Sequence, residues 1–131
     1  MTPKKIRILV VDEVQASRYM LRFILEQDGY EIEEAVDGLE ALQKIRDTRP
    51  HLVMLDVLMP KINGIDCCRL IKDDAALSDT KIIMVSAKDE DVYAAASYRH
   101  GCDEFITKPI DEQELLSKLR SLGLHASLHK M

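Results

Sequence analysis

Leu52-Val53-Met54-Leu55-Asp56 is the stretch on which the fold turns. Four apolar residues in unbroken succession, without polar alternation, suit a strand covered on both faces, as in a parallel sheet flanked by helices. The run stops at a carboxylate, and Pro60 and Gly64 bracket a loop behind it. Working outward, the same pattern recurs. Residues 6–11 form a compact run, apolar from Ile8 to Val11, that ends at Asp12 and Glu13, and residues 82–85 form another ending at Ser86. Two weaker strands are expected at 31–36 and at 105–107, the latter stopping at Lys108-Pro109.

Between these runs lie longer amphipathic stretches. Residues 14–27 place Met20, Leu21, Ile24 and Leu25 at helical spacing, with Gly29 just past the end as a stop. Residues 39–47 put Leu39, Leu42 and Ile45 on one face before Arg49-Pro50 breaks the pattern. Residues 65–72 are expected to be helical with Leu70 and Ile71 in the core, and residues 89–99 form an alanine-rich helix closed by Gly101. A last helix spans 111–122, with Asp111 and Glu112 at its positive end and Lys118 and Arg120 at its negative end. Five strand–helix repeats imply a (βα)5 domain with right-handed crossovers. Residues 1–123 make up that domain. Residues 124–131 are a tail, expected either to extend the last helix or to be an appended end.

The bulk composition agrees with one globular domain. The chain has 131 residues, 47% hydrophobic and 31% charged, and a formal net charge of −5. Basic residues are outnumbered and form no stripe, which argues against direct nucleic-acid binding. The N-terminal apolar run is too short for a secretory signal or a membrane span, so a cytoplasmic location is expected. Cys67, Cys68 and Cys102 lack metal-ligand spacing and are read as reduced core residues.

Function is read from where the apolar strands stop. In an open parallel sheet, ligands bind beyond the carboxyl ends of the strands. Those ends carry Asp12 and Glu13, Asp56, Ser86 and Lys108. Each alone has an ordinary explanation: a first-turn acid, a turn residue, an N-cap, a solvated lysine. Together they place three carboxylates, a hydroxyl and an amine on one rim. Crowded carboxylates call for a cation, and oxygen-only donors favour Mg2+ (or Mn2+). The hydroxyl and the amine opposite a metal form a cradle for a phosphoryl group, with Asp56 as the nucleophile.

The chain resembles the receiver domain of bacterial two-component response regulators over about residues 5–122. The matching stretches are Ile8-Leu9-Val10-Val11-Asp12-Glu13, residues 37–42, Leu55-Asp56-Val57-Leu58-Met59-Pro60 with Asn63-Gly64, residues 83–87, and residues 101–109 ending in Thr107-Lys108-Pro109. The resemblance implies a flavodoxin-like doubly wound sheet of strand order 2-1-3-4-5. It further implies that Asp56 is a phosphoacceptor served by a sensor histidine kinase or a histidine phosphotransfer protein, and that Asp12, Glu13, Asp56 and the Val57 carbonyl hold the metal. Lys108 would contact the phosphoryl oxygens, with a cis bond to Pro109. Ser86 would be the switch hydroxyl and Phe105 the switch aromatic. Glu13 departs from the aspartate usual at its place, and Phe105 lacks the hydroxyl of the more frequent tyrosine. Leu58 and Lys88 occupy positions that tune hydrolysis; an apolar Leu58 cannot orient water, so a long-lived phospho-form is expected. Output would pass to an effector protein or a phosphorylation-dependent homodimer through residues 89–122.

Enzymatic alternatives fit less well. A flavin-type phosphate loop after the first strand would need Ser, Thr and Gly where Asp12-Glu13-Val14 stand, and neither a GxGxxG nor a GxxxxGK[ST] motif occurs. Leu58 fills the second acid position of an Asp-x-Asp phosphatase. The reading is a signalling switch, not an enzyme acting on separate substrates. A receiver-like module working without phosphorylation is the alternative.

Overall fold

The computed structural model describes residues 5–87 and 91–125, the side chain of Asp91 excepted. Ten elements alternate without exception. They are β1 (Arg7–Val11), α1 (Gln15–Gln27), β2 (Glu31–Ala35), α2 (Gly38–Thr48), β3 (Leu52–Asp56), α3 (Gly64–Asp73), β4 (Lys81–Ser86), α4 (Asp91–Arg99), β5 (Glu104–Thr107) and α5 (Glu112–Ser121). The strands form one sheet of order β2-β1-β3-β4-β5, all pairs parallel, as the resemblance implied.

Continuous apolarity in the central strands is explained by burial on both faces. Leu9, Val11, Val53, Leu55, Ile82 and Met84 point into one core layer, which also takes in Ala41, Leu42, Ile45, Cys67, Cys68 and Ile71 of α2 and α3. Their neighbours Ile8, Val10, Leu52, Met54, Ile83 and Val85 point the other way, against Leu21 and Leu25 of α1 and Leu115 and Leu119 of α5. Side chains alternate across a strand, so every residue of these runs meets a helix layer.

Register then sets the upper rim. Val11 pairs with Leu55, Asp56 with Val85, and Ser86 with Thr107. The residues following these pairs leave the sheet at one edge, which brings Asp12, Val57 and Lys108 together from positions far apart in sequence.

The starts of α2, α3 and α5 are capped by side chains. Asp37 accepts from the Glu40 amide, Asn63 from the Asp66 amide and Asp111 from the Gln113 amide. Each bond satisfies one of the unpaired N–H groups of a first turn. Three starts differ from sequence expectation for this reason: Asp37 is the cap, so α2 begins at Gly38; Asn63 is the cap, so α3 begins at Gly64; and Asp111, expected inside the last helix, is the cap, so α5 begins at Glu112. The described part of the fourth helix starts at Asp91, and Lys88 and Asp89 lie outside the described residues.

Three expected core residues are on the surface. Met20 is 62% exposed, Leu39 52% and Leu70 38%. In each helix the buried stripe is narrower than the apolar residues available. Ala41 joins Leu42 and Ile45 in α2, and Cys67 and Cys68 join Ile71 in α3, leaving Leu39 and Leu70 outward. All three cysteines are free and buried. At the C-terminal end α5 stops at Ser121, Gly123 takes a left-handed φ of 75°, and the Leu124 amide bonds back to the Leu119 carbonyl at 2.9 Å. No helix among the described residues is long and apolar enough to cross a membrane.

Candidate functional site

Three of the predicted residues meet directly at the rim. Lys108 Nζ lies 2.7 Å from Asp12 Oδ2 and 3.8 Å from Asp56 Oδ2. Asp12 and Lys108 are 96 residues apart, so only the sheet brings them together. The Lys108–Pro109 peptide is cis, as the resemblance implied, and the Lys108 amide donates to the Ser86 carbonyl at 2.8 Å. That last bond ties the loop after β5 to the end of β4. Ser17 of α1 stands 3.5 Å from the same ammonium through its hydroxyl.

Asp12 is buried, 2% exposed, and is held on several sides. Its amide donates to the Ala35 carbonyl, its Oδ1 accepts from the Val14 amide at 2.8 Å, and Oδ2 takes the lysine. Asp56 is treated differently. Its side chain is 13% exposed, and burial pushes its carboxyl up from 3.8 to about 6. Lys108 pulls it down and Asp12 pushes it up, and neither overrides the loss of water. The carboxylate is thus poorly solvated and only partly compensated, by the shared ammonium and by the backbone amides of Leu58 and Val57, a state that an added cation relieves.

The loop behind Asp56 is fixed by its glycine. The Gly64 amide donates to the Val57 carbonyl at 2.7 Å. A Cβ at Gly64 would stand 2.0 Å from the Asp56 carbonyl oxygen, so helix α3 docks on the end of β3 only with glycine there. Val57 is buried and its amide donates to Val85. Its carbonyl keeps one lone pair beyond the Gly64 bond.

Ser86 is buried at the end of β4, one residue beyond the partner of Asp56. Phe105 is partly buried and packs on the core layer of α2 and α3. Glu13 is exposed beside Asp12, and Leu58 is 51% exposed next to Val57. Among the described residues no three acids, histidines or cysteines stand together as a metal-ligating group. The carboxylates that could serve as donors at this rim are Asp12 and Asp56, both facing Lys108. That suits Mg2+, which takes one or two carboxylates, keeps several waters and shares phosphate oxygens.

Sequence reading missed one member of this site. Arg18 of α1 is buried, and its guanidinium donates to the Asp12 main-chain carbonyl at 2.9 Å and to Glu34 Oε1 at 2.8 Å. The signal was available: Arg18, Leu21 and Leu25 share one helical face, and an arginine on an apolar stripe needs a partner.

Comparison with known proteins places this geometry. The response regulator receiver domain family matches residues 8–120. Protein PilG of Pseudomonas aeruginosa is 34% identical over 116 residues, covering 88% of this chain and 86% of that protein. Response regulator MprA of a Mycobacterium species is 39% identical over 117 residues, 89% of this chain and 50% of the relative, so the chain spans about half the length of that protein. Among solved structures, a CheY-like response regulator receiver domain protein from Methanospirillum hungatei superimposes with a TM-score of 0.84 at 29% identity, covering 91% of this chain and 94% of that one. The response regulator domain of Thermotoga maritima CheB gives 0.80 at 34% identity, with 90% and 96% covered. With its sheet order, its rim of Asp12, Asp56 and Lys108, and this match over nearly its whole length, the chain belongs to the response regulator receiver domain family of two-component signalling.

Proposed function

We propose that Asp56 accepts a phosphoryl group from a phosphohistidine and that the resulting aspartyl phosphate switches a protein-interaction face. The observation that carries this reading is the state of Asp56: a carboxylate at a strand end, 13% exposed and held at about 6, with an ammonium 3.8 Å away. Above that pH it is ionised, and being poorly solvated it is a competent nucleophile. The P–N bond of the donor breaks as a P–O bond to Asp56 forms, and the histidine leaves as neutral imidazole after taking up a proton.

Each neighbour has a part. Lys108 leaves Asp12 to pair with the incoming phosphoryl oxygens, a rotation of its flexible stem. Ser86 donates its hydroxyl to another of those oxygens and draws the loop after β4 toward the site. Phe105 follows by repacking on the core layer it already touches. Asp12, Asp56 and the Val57 carbonyl hold Mg2+ or Mn2+, with Glu13 acting from its exposed position. The ion, when bound, supplies charge neutralisation as the phosphoryl oxygens approach the carboxylates.

The aspartyl phosphate adds about −1.5 to −2 charges and three acceptors at this rim, which biases α4, β5 and α5 toward a second arrangement. A sensor histidine kinase or phosphotransfer protein is the donor, an effector or a second copy of the chain is the recipient, and the cytoplasm is the compartment. The chain acts as a switch, its chemistry confined to its own aspartate. Incubation with Mg2+ and acetyl phosphate, read by intact mass, tests the proposal. Wild type gains one phosphate, and Asp56→Asn gains none. Wild type without added mass would favour an interaction module independent of phosphorylation.

A further inference from the structure

We infer that Arg18 is a positioning residue for the metal site: its guanidinium clamps the Asp12 main chain to Glu34 of β2 and so sets the direction of the Asp12 carboxylate. The inference rests on the reading of Asp12 as a metal ligand.

Arg18 is 8% exposed, and a guanidinium taken out of water must spend its donors well. It has two hydrogen-bond partners. Nη1 donates to the Asp12 carbonyl at 2.9 Å and Nε donates to Glu34 Oε1 at 2.8 Å. Glu34 pairs across the sheet with Val10, two residues before Asp12, so the clamp closes a loop through α1, β1 and β2. It reaches Asp12 at the one main-chain atom that neither the sheet nor the first turn of α1 engages. The Asp12 amide is tied to Ala35, and the Arg18 amide caps back to the Val14 carbonyl. With the carbonyl also held, the peptide plane at Asp12 is fixed. The carboxylate then sits where Oδ1 meets the Val14 amide and Oδ2 meets Lys108.

Arg22 supplies an internal control. It contacts the other oxygen of Glu34 from one turn further along α1, its side chain 43% exposed, and does not touch Asp12. Both arginines anchor α1 to β2. Only Arg18 also holds the site. Lysine at position 18 keeps the charge, but a single ammonium lacks the planar fork that spans two acceptors at fixed geometry.

The test uses the full chain and Mn2+ titrated by calorimetry. Arg18→Lys is expected to weaken Mn2+ binding by about tenfold, the usual size of an outer-shell loss. It should raise by the same factor the Mg2+ needed for half-maximal acetyl phosphate labelling, with the rate at saturating Mg2+ retained. In EDTA, with no metal present, hydrogen exchange at the Val14 amide should speed up, because that amide reports the Asp12 carboxylate. Arg22→Ala should leave all three readouts unchanged while lowering the urea midpoint. If Arg18→Lys fails to fold, Glu34→Ala, read against Arg22→Ala, carries the test, since it removes the acceptor of Nε and leaves the guanidinium in place. Wild-type Mn2+ affinity in a folded Arg18→Lys, or an equal loss in Arg22→Ala, overturns the inference. Wild-type affinity in Asp12→Asn would instead sink the metal reading itself, and the inference with it.

Discussion

Replacing Asp56 by asparagine is expected to stabilise the protein, and to do so only where the carboxyl would be ionised. Asparagine is close in shape to a protonated aspartate and carries no charge. In the wild type, burial raises the Asp56 carboxyl from 3.8 to about 6, so folding takes up a proton. For a group raised on folding, the favourable contribution is full below the unfolded value and is lost as the pH climbs through the folded one. The two values differ by about 2, and each tenfold in proton affinity is worth about 1.4 kcal/mol, so the ionised carboxylate costs about 3 kcal/mol at pH 8. The same linkage leaves about 0.5 kcal/mol at pH 4. Solvent reaching the exposed 13% of the side chain screens the charge, so this is an upper value. Urea unfolding followed by far-ultraviolet circular dichroism, in EDTA, measures the gap between Asp56→Asn and wild type. With a slope of about 2 kcal/mol per molar urea, the midpoints should separate by about 1.5 M at pH 8 and nearly coincide at pH 4. A variant no more stable than wild type at pH 8 would refute burial as the source of the shift. So would a gap of constant size across the range, because that would come from packing and not from charge.

Three further outcomes follow from the same site. Mg2+ should raise the melting temperature of wild type in proportion to the logarithm of its concentration above the dissociation constant, and should do so far less in Asp56→Asn, as a thermal melt at several Mg2+ concentrations will show. Gly64→Ala places a Cβ where the Asp56 carbonyl stands, at 2.0 Å, and is expected to cost about 3 kcal/mol or more by urea unfolding and to reduce phosphate incorporation. The thiols of Cys67 and Cys102 are pushed up to about 12 and that of Cys68 to about 11, burial being the main cause in each. A thiol-reactive dye at pH 8 should therefore label none of them in the native protein and all three in urea; rapid native labelling of any would contradict the buried placement.

Strand positions and the polar strand ends were legible in the chain because both depend on local facts. A strand buried on both faces must be apolar throughout, and the residue that ends it is exposed to whatever the rim contains. Residues 52–56 carry both statements within five positions. Helix faces were less legible. Met20, Leu39 and Leu70 have core-like chemistry, but which apolar residues are buried depends on how each helix rolls against the sheet, and in α2 and α3 the small Ala41, Cys67 and Cys68 take buried places.

The amino-acid order carries an inventory: five strands, five helices, and the acids, hydroxyl and amine that terminate the strands. The order 2-1-3-4-5 came from family resemblance, since periodicity carries no information on which strands are neighbours. Folding adds that Lys108 rests on Asp12 at 2.7 Å and farther from Asp56, that Asp12 is buried while Glu13 is exposed, and that the Arg18 guanidinium holds the Asp12 main-chain carbonyl. The physical reason is the same in all three. Hydrogen bonds and burial are set by distances between residues far apart in the chain, and those distances exist only once both faces of the sheet have been packed.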